Sequence, residues 1–120
     1  MTQEVRERIK KLQLLVGNTP MLRFDCQIDN KRVKIYAKYE AWNFTGSIKD
    51  RMALEIIKAA YDLGTLSEKD TIVEATSGNT GIALAAMGAY LGHPVHIYVS
   101  MGLNYLKLPQ NKGVLQSVLI

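Results

Sequence analysis

The segment TIVEATSGNTGIALAAMGAYLGHPVHIYV, residues 71–99, decides the fold. Thr71 to Ala75 reads as a short strand, with Gly78 and Gly81 in the turn that follows. Ile82 to Leu91 is an almost wholly apolar helix, ended by Gly92 and Pro94. Val95 to Val99 makes the next strand. A helix without a polar face is expected to lie buried between the sheet and a second layer.

Upstream, Ile48, Met52, Ile56, Ile57, Ala60 and Leu63 recur at helical spacing, and Gly64 sits where a helix C′ glycine belongs. Before that helix, Val33, Ile35 and Ala37 alternate with Lys34, Tyr36 and Lys38, as in a half-buried strand near a sheet edge. A further short strand is expected around Leu22 to Phe24, with Asp29 and Asn30 in the turn between them. Residues 4–14 read as a short helix or arm that closes on Gly17-Asn18-Thr19-Pro20. Strand, helix, strand, helix, strand at these spacings predicts a parallel α/β unit.

The chain has 120 residues, 48% of them hydrophobic and 22% charged, which suits one globular domain rather than disorder. Its mean hydropathy is −0.03, and no apolar run is long enough to cross a bilayer. The start is not a signal peptide. Cys26 is the single cysteine, so no internal disulfide is expected and a cytoplasmic location follows. The net charge of +4 comes from 15 basic and 11 acidic residues, and every acidic residue lies at or before Glu74 among most of the basic ones. No exclusive basic stripe with interleaved aromatics forms, so nucleic acid is not an expected partner. His93 and His96 have no Cys, Asp or Glu close by in sequence, and no metal site is expected. Cys26 reads as an inert thiol in a polar turn region. Trp42 and Phe44 are expected to pack the loop that follows them, and the methionines to fill the core.

Two segments could carry chemistry. In Gly46-Ser47-Ile48-Lys49-Asp50-Arg51, Gly46 permits a tight turn and Ser47 suits an N-cap. Lys49 then falls in the first helical turn, where the helix dipole disfavours an ammonium and favours the free amine a Schiff-base lysine needs. Spacing alone leaves open a solvated surface lysine, with Asp50 complementing the dipole. In Thr76-Ser77-Gly78-Asn79-Thr80-Gly81, backbone N–H groups and side-chain donors at a strand-to-helix turn suit a carboxylate or phosphate. Spacing alone also leaves open a simple capped turn. Neither the Walker A nor the dinucleotide glycine spacing is present.

Taken together with Gly17-Asn18-Thr19-Pro20, these segments resemble the pyridoxal-phosphate enzymes of fold type II, most closely the cysteine synthase group, over residues 12–101. The resemblance implies an α/β, parallel-sheet three-layer sandwich of the tryptophan synthase β-like kind, of which this chain holds the N-terminal portion. It also implies pyridoxal 5′-phosphate as cofactor, held by Lys49 and by Asn79 at its phenolic oxygen. Thr76, Ser77, Gly78, Asn79 and Thr80 would bind the carboxylate of a small amino-acid substrate. The reaction implied is β-replacement or β-elimination on a serine- or cysteine-like amino acid, such as O-acetylserine plus sulfide to cysteine, in a homodimer. The family's phosphate-binding glycine loop and the group facing the pyridine nitrogen come from a later part of the chain. Residues 1–101 are therefore expected to be the N-terminal portion of such an enzyme, with 102–120 an atypical, truncated or frame-shifted tail. Weak or no activity is expected on that reading, and the alternative is a non-catalytic truncated product or pseudoenzyme of the same family.

Overall fold

A computed structural model describes residues 1–99 and the backbone of 116–119. The expected boundary at residue 101 and most of the expected tail lie outside the described residues.

Helix α1 (Gln3–Leu15) begins with Thr2, whose hydroxyl accepts the Val5 N–H at 3.4 Å. Gly17 and Asn18, at φ +85° and +46°, then turn the chain into the antiparallel pair β1 (Met21–Ile28) and β2 (Lys31–Lys38). Only Asp29 and Asn30 separate these strands, both left-handed at φ +47° and +61°. That is the backbone a two-residue hairpin with right-handed strand twist requires. Register pairs Leu22 with Ala37, Phe24 with Ile35 and Cys26 with Val33.

The sequence placed β2 half-buried in the parallel sheet and Cys26 in a turn. The structure corrects both. β2 pairs with β1 alone, Ile35 is 45% exposed, and Cys26 lies within β1. Among the described residues no other helix or strand packs on this ribbon.

A short 3₁₀ turn (Glu40–Trp42) leads to α2 (Lys49–Asp62). Its C-terminus is a Schellman motif: Gly64 is at φ +72°, its N–H reaches the Tyr61 carbonyl at 3.2 Å, and the Thr65 N–H reaches Ala60 at 2.9 Å. The buried face of α2 is Asp50, Ala53, Leu54, Ile57 and Tyr61. Most of the expected stripe is exposed instead: Ile48, Met52, Ile56 and Leu63 face outward, and of its members only Ile57 is fully buried.

β3 (Ile72–Ala75), α3 (Asn79–Leu91) and β4 (Val95–Val99) follow as expected. β3 and β4 are parallel, and β5 (Gln116–Leu119) adds an antiparallel edge beside β4. One side of α3, with Ala83, Leu84, Met87 and Leu91, packs in a core with Val5, Ile9 and Leu12 of α1 and with the inner face of α2. On the sheet side, Ala85 packs with Val95 and Ile97. The second layer predicted from the lack of a polar face is thus α1 and α2. Each fully buried aliphatic side chain here stabilises the fold by roughly 1.5–3 kcal/mol.

Close approach of α3 to the sheet depends on glycine. A Cβ at Gly81 would stand 2.8 Å from Thr76 Cγ2 and 3.2 Å from Ile97 Cγ2. At Gly88 it would meet Val95 Cγ2 at 2.5 Å and Ile72 Cδ1 at 3.2 Å. Gly81 therefore belongs to the helix, not to the turn in which its sequence position suggested it lay. No helix among the described residues is long and apolar enough to cross a membrane.

Candidate functional site

The two predicted segments occupy equivalent places, each at the start of a helix. Thr76 to Gly78 connect β3 to α3, and the Thr76 N–H continues the sheet by donating to the Tyr98 carbonyl at 3.0 Å. Asn79 and Thr80 form the first residues of α3. No side chain caps this helix at Gly78. Ser77, Gly78 and Asn79 are exposed, while Thr76 and Thr80 are half-buried. The loop thus sits at the carboxyl end of a parallel strand with first-turn N–H groups directed out of the helix end, where ligands bind in open α/β sheets.

Lys49 opens α2 and is exposed. Its backbone N–H donates to Ser47 Oγ at 3.2 Å. The N-cap position of α2 is Ile48, however, and no side chain caps the helix, so Ser47 stands one residue before the place expected for it. Its amine has no hydrogen-bond or ion-pair partner among the described residues. No hydrogen bond links Lys49 to the Thr76–Thr80 loop among those residues. The far ends of the two helices do meet: the Tyr61 hydroxyl near the end of α2 lies 2.5 Å from His93 Nε2, just past α3. His93 Nδ1 is 2.8 Å from the Asp70 carbonyl. Since a carbonyl only accepts, Nδ1 carries the proton and Nε2 accepts from tyrosine. Burial first, and then the carboxylates of Glu68 and Asp70, push the Tyr61 phenol above its usual range. His93 is thus a structural fastener between helix ends.

Lys49 is surrounded by an array to which the sequence assigns no role beyond a dipole-complementing Asp50. Asp50 is fully buried and accepts the Thr45 N–H at 2.6 Å through Oδ2, and the Thr45 hydroxyl through Oδ1. It holds the turn before the lysine rather than simply complementing the dipole. Arg51 places Nε on Glu40 Oε2 at 2.8 Å and Nη2 on Oε1 at 2.9 Å, a two-pronged charged contact. The same carboxylate accepts from Thr19 Oγ1 at 2.7 Å and Asn43 Nδ2 at 2.8 Å. Asn43 Oδ1 in turn accepts the Gly17 N–H at 2.7 Å, and Lys38 Nζ donates to the Thr19 carbonyl. A Cβ on Gly17 would stand 3.1 Å from Arg51 Nη1. The Gly17–Pro20 loop and the Gly46–Arg51 segment, far apart in sequence, are therefore one structure, joined at Glu40. Gly46, at φ +87°, supplies the turn expected of it.

Trp42 does not pack this loop: it is 70% exposed, its ring 6.5 Å from that of Tyr39. The Phe44 and Tyr90 rings meet edge-to-face at the end of α3, with centroids 6.5 Å apart. The sequence signal for Asp50 was its place on the Ala53-Leu54-Ile57-Tyr61 face. A carboxyl group there needs buried donors.

Hydrogen bonds from Arg51 first, then from Thr19, hold the Glu40 carboxyl down at about 2, against 4.5 for a free glutamate. The folded value is the lower one, so the ionised carboxylate stabilises the fold above pH 4.5. That contribution is lost as pH falls through about 2. Glu40→Gln is expected to lower the urea midpoint at neutral pH. The difference from the parent should shrink as pH falls from 4.5 towards about 2. Unfolding curves across that window check it, and a pH-independent difference would contradict it.

Comparison with known proteins matches residues 12–114 to the model of the family described as pyridoxal-phosphate dependent enzyme. A cysteine synthase of Aquifex aeolicus is 46% identical over 98 residues, covering 79% of this chain and 29% of that protein. A cystathionine beta-synthase of Rattus norvegicus is 48% identical over 80 residues, 65% of this chain and 14% of that protein. Among solved structures, a hydrogen sulfide-producing enzyme of Fusobacterium nucleatum superposes with a TM-score of 0.78 at 48% identity, covering 83% of this chain and 30% of the other. The chain thus spans under a third of these relatives' length. The match over most of the chain, together with the shared fold, settles its kinship: it belongs to the pyridoxal-phosphate-dependent enzymes of fold type II, the group that contains the cysteine and cystathionine β-synthases.

Proposed function

We propose that this chain supplies the lysine and the carboxylate-binding loop of an enzyme for β-replacement or β-elimination on a serine- or cysteine-like amino acid. The cysteine synthase reaction, O-acetylserine plus sulfide to cysteine, is the form we favour. The observation that carries this reading is the pairing of an exposed, unpartnered Lys49 amine at the start of α2 with an uncapped, exposed loop at the start of α3. Lys49 would hold the cofactor's aldehyde carbon, and Asn79 its phenolic oxygen. Both residues are accessible, and neither side chain has a competing hydrogen bond among the described residues, so the donor set fits that end of the cofactor. No second glycine-rich loop is present among those residues for the phosphate.

When bound, pyridoxal phosphate supplies an electron sink for bond cleavage at the substrate α-carbon. The chain's own residues bind and orient. The first-turn N–H groups of α3 with Ser77 and Thr80 hold the substrate carboxylate, an anion at the positive end of a helix. The Lys49 amine takes and returns the α-proton. A homodimeric, cytoplasmic working form belongs to the same proposal, and the outward Ile48–Met52–Ile56 stripe of α2 supports a further protein contact.

The test is reductive trapping. The chain is mixed with stoichiometric pyridoxal phosphate, reduced with borohydride, digested and mapped by mass spectrometry. The pyridoxyl group is expected on Lys49 and is expected to vanish from that peptide in Lys49→Ala, with circular dichroism unchanged. Label scattered over the exposed Lys10, Lys34 and Lys69 would reject the proposal in favour of a non-catalytic family member.

A further inference from the structure

We propose that Glu40 is a positioning residue for Lys49: its carboxylate fastens the first turn of α2 to the Gly17–Pro20 loop and so fixes where the lysine amine stands. The proposal rests on Lys49 being the reactive amine.

The residues on either side of Lys49 show why an external clamp is needed. Ser47 meets only backbone N–H groups of its own turn, that of Lys49 through its hydroxyl at 3.2 Å and that of Asp50 through its carbonyl at 3.3 Å. Asp50 turns inward to Thr45. Arg51 reaches back to Glu40 with both prongs, at 2.8 and 2.9 Å. The lysine amine itself has no partner among the described residues, so its placement is inherited from the backbone of the turn. The body of α2 is anchored by its buried face, and the polar contacts that hold its first turn run through two carboxyl groups, those of Asp50 and Glu40. Asp50 makes a contact within its own turn. Glu40 is the centre of the join between separate segments: Thr19 after α1, Asn43 before the turn and Arg51 within α2 all donate to it. A longer contact from Arg51 Nη2 to Thr19 Oγ1 at 3.2 Å and the Gly17 N–H on Asn43 Oδ1 support the same join.

Replacing the carboxylate by an amide turns one acceptor into a donor facing Arg51, Thr19 and Asn43. These donors cannot all be satisfied by one remaining oxygen. The fork onto Arg51 is lost, and the α2 start is then held against the Gly17–Pro20 loop only by the 3.2 Å contact from Arg51 Nη2 to Thr19 Oγ1, which loosens its registry. Errors of a fraction of an ångström at a reacting atom change rates markedly. Glu40 touches neither substrate nor cofactor in this scheme; it acts through Arg51 and the helix start.

The test compares the 120-residue chain with Glu40→Gln and Glu40→Asp at equal far-ultraviolet circular dichroism. The first readout is the share of total pyridoxyl label on Lys49 after pyridoxal phosphate and borohydride. The second is amide hydrogen exchange of residues 47–52 without cofactor. Glu40→Gln is expected to cut the Lys49 share roughly tenfold, to leave labelling of Lys10, Lys34 and Lys69 unchanged, and to speed exchange in the turn. Glu40→Asp, which keeps the charge one methylene shorter, should recover part of the share. A general loss of structure would change all lysines together and would not be rescued this way.

An unchanged Lys49 share and unchanged exchange in Glu40→Gln overturn the proposal. If the parent chain itself shows no preference for Lys49, the reading of that lysine as reactive fails. Exchange alone then decides the clamp: faster exchange in Glu40→Gln supports it and equal exchange removes it. Should Glu40→Gln not fold, Arg51→Lys, which keeps the cation but loses the planar fork, replaces it in both measurements. A reduced Lys49 share with faster exchange then supports the clamp, and parent-like values overturn it.

Discussion

Gly88→Val is expected to destabilise the chain by about 3 kcal/mol or more. The first added carbon already falls 2.5 Å from Val95 Cγ2 and 3.2 Å from Ile72 Cδ1. Val95 is among the most deeply buried side chains and cannot move aside without opening the contact between α3 and β4. A β-branched side chain adds a rotamer restriction on the helix. Gly88→Ala decides between two opposed effects. Alanine is the better helix former by about 1 kcal/mol, yet overpacking a closed helix–sheet contact costs about 1–3 kcal/mol. The overlap is with a buried methyl and not with the tip of a flexible chain, so the second effect wins and a net loss is expected. Gly78→Ala is the control, because a Cβ there meets nothing within 4 Å. Denaturant midpoints of the three variants measure this, and a Gly88→Val midpoint equal to that of Gly78→Ala would refute the packing account.

The second large effect is expected at Asp50. Asp50→Ala removes the acceptor for both the N–H and the hydroxyl of half-buried Thr45 and empties a fully buried position. A donor left unpaired out of water costs about 1–3 kcal/mol. With two donors stranded, a loss of about 3 kcal/mol follows. Asp50→Asn should cost much less, since its oxygen can take the Thr45 N–H while its amide donates to the threonine oxygen. Thermal or urea unfolding of the pair separates the two. Equal losses would mean that charge, and not the geometry of the two acceptors, is what the site requires. Because Asp50 neighbours Lys49, the alanine variant should also blur selective trapping at that lysine.

These two residues also mark where the sequence was and was not informative. α1, β3, α3 and β4 were legible because strand and helix periods there are bounded by strong punctuation: Gly64, Gly78, Gly92 and Pro94. Gly17-Asn18-Thr19-Pro20 and Gly46 to Arg51 were legible as motifs, and their kinship was readable from the residues alone. What failed was direction. α2 carries apolar residues on more than one side, and the stripe of Ile48, Met52, Ile56, Ile57, Ala60 and Leu63 that periodicity picks out is mostly not the buried one. The buried face also contains Asp50 and Tyr61, each with a specific partner. β2 failed for a related reason. It is a strand, but its alternation does not say which strand lies alongside, and Ile35 on the expected inner face is exposed. The Asp29-Asn30 turn settles the partner through its left-handed backbone, which polar composition alone does not reveal. The Glu40 array could not be seen at all, since Thr19, Glu40, Asn43 and Arg51 are brought together only by the fold.

The ribbon of β1 and β2 has one further consequence. Both strands leave the body at the same place, where the Tyr39 N–H donates to the Pro20 carbonyl at 2.8 Å and Lys38 reaches Thr19. The chain before Pro20 and the chain after Lys38 are thus already stitched to each other at the base of the ribbon. The peptide bond between Asp29 and Asn30 lies at the tip, distant from every contact that joins α1 to α2. Opening the chain there would leave each piece anchored by its own side of the stitch. The tip is therefore the natural position for a nick, an inserted tag or a pair of new termini.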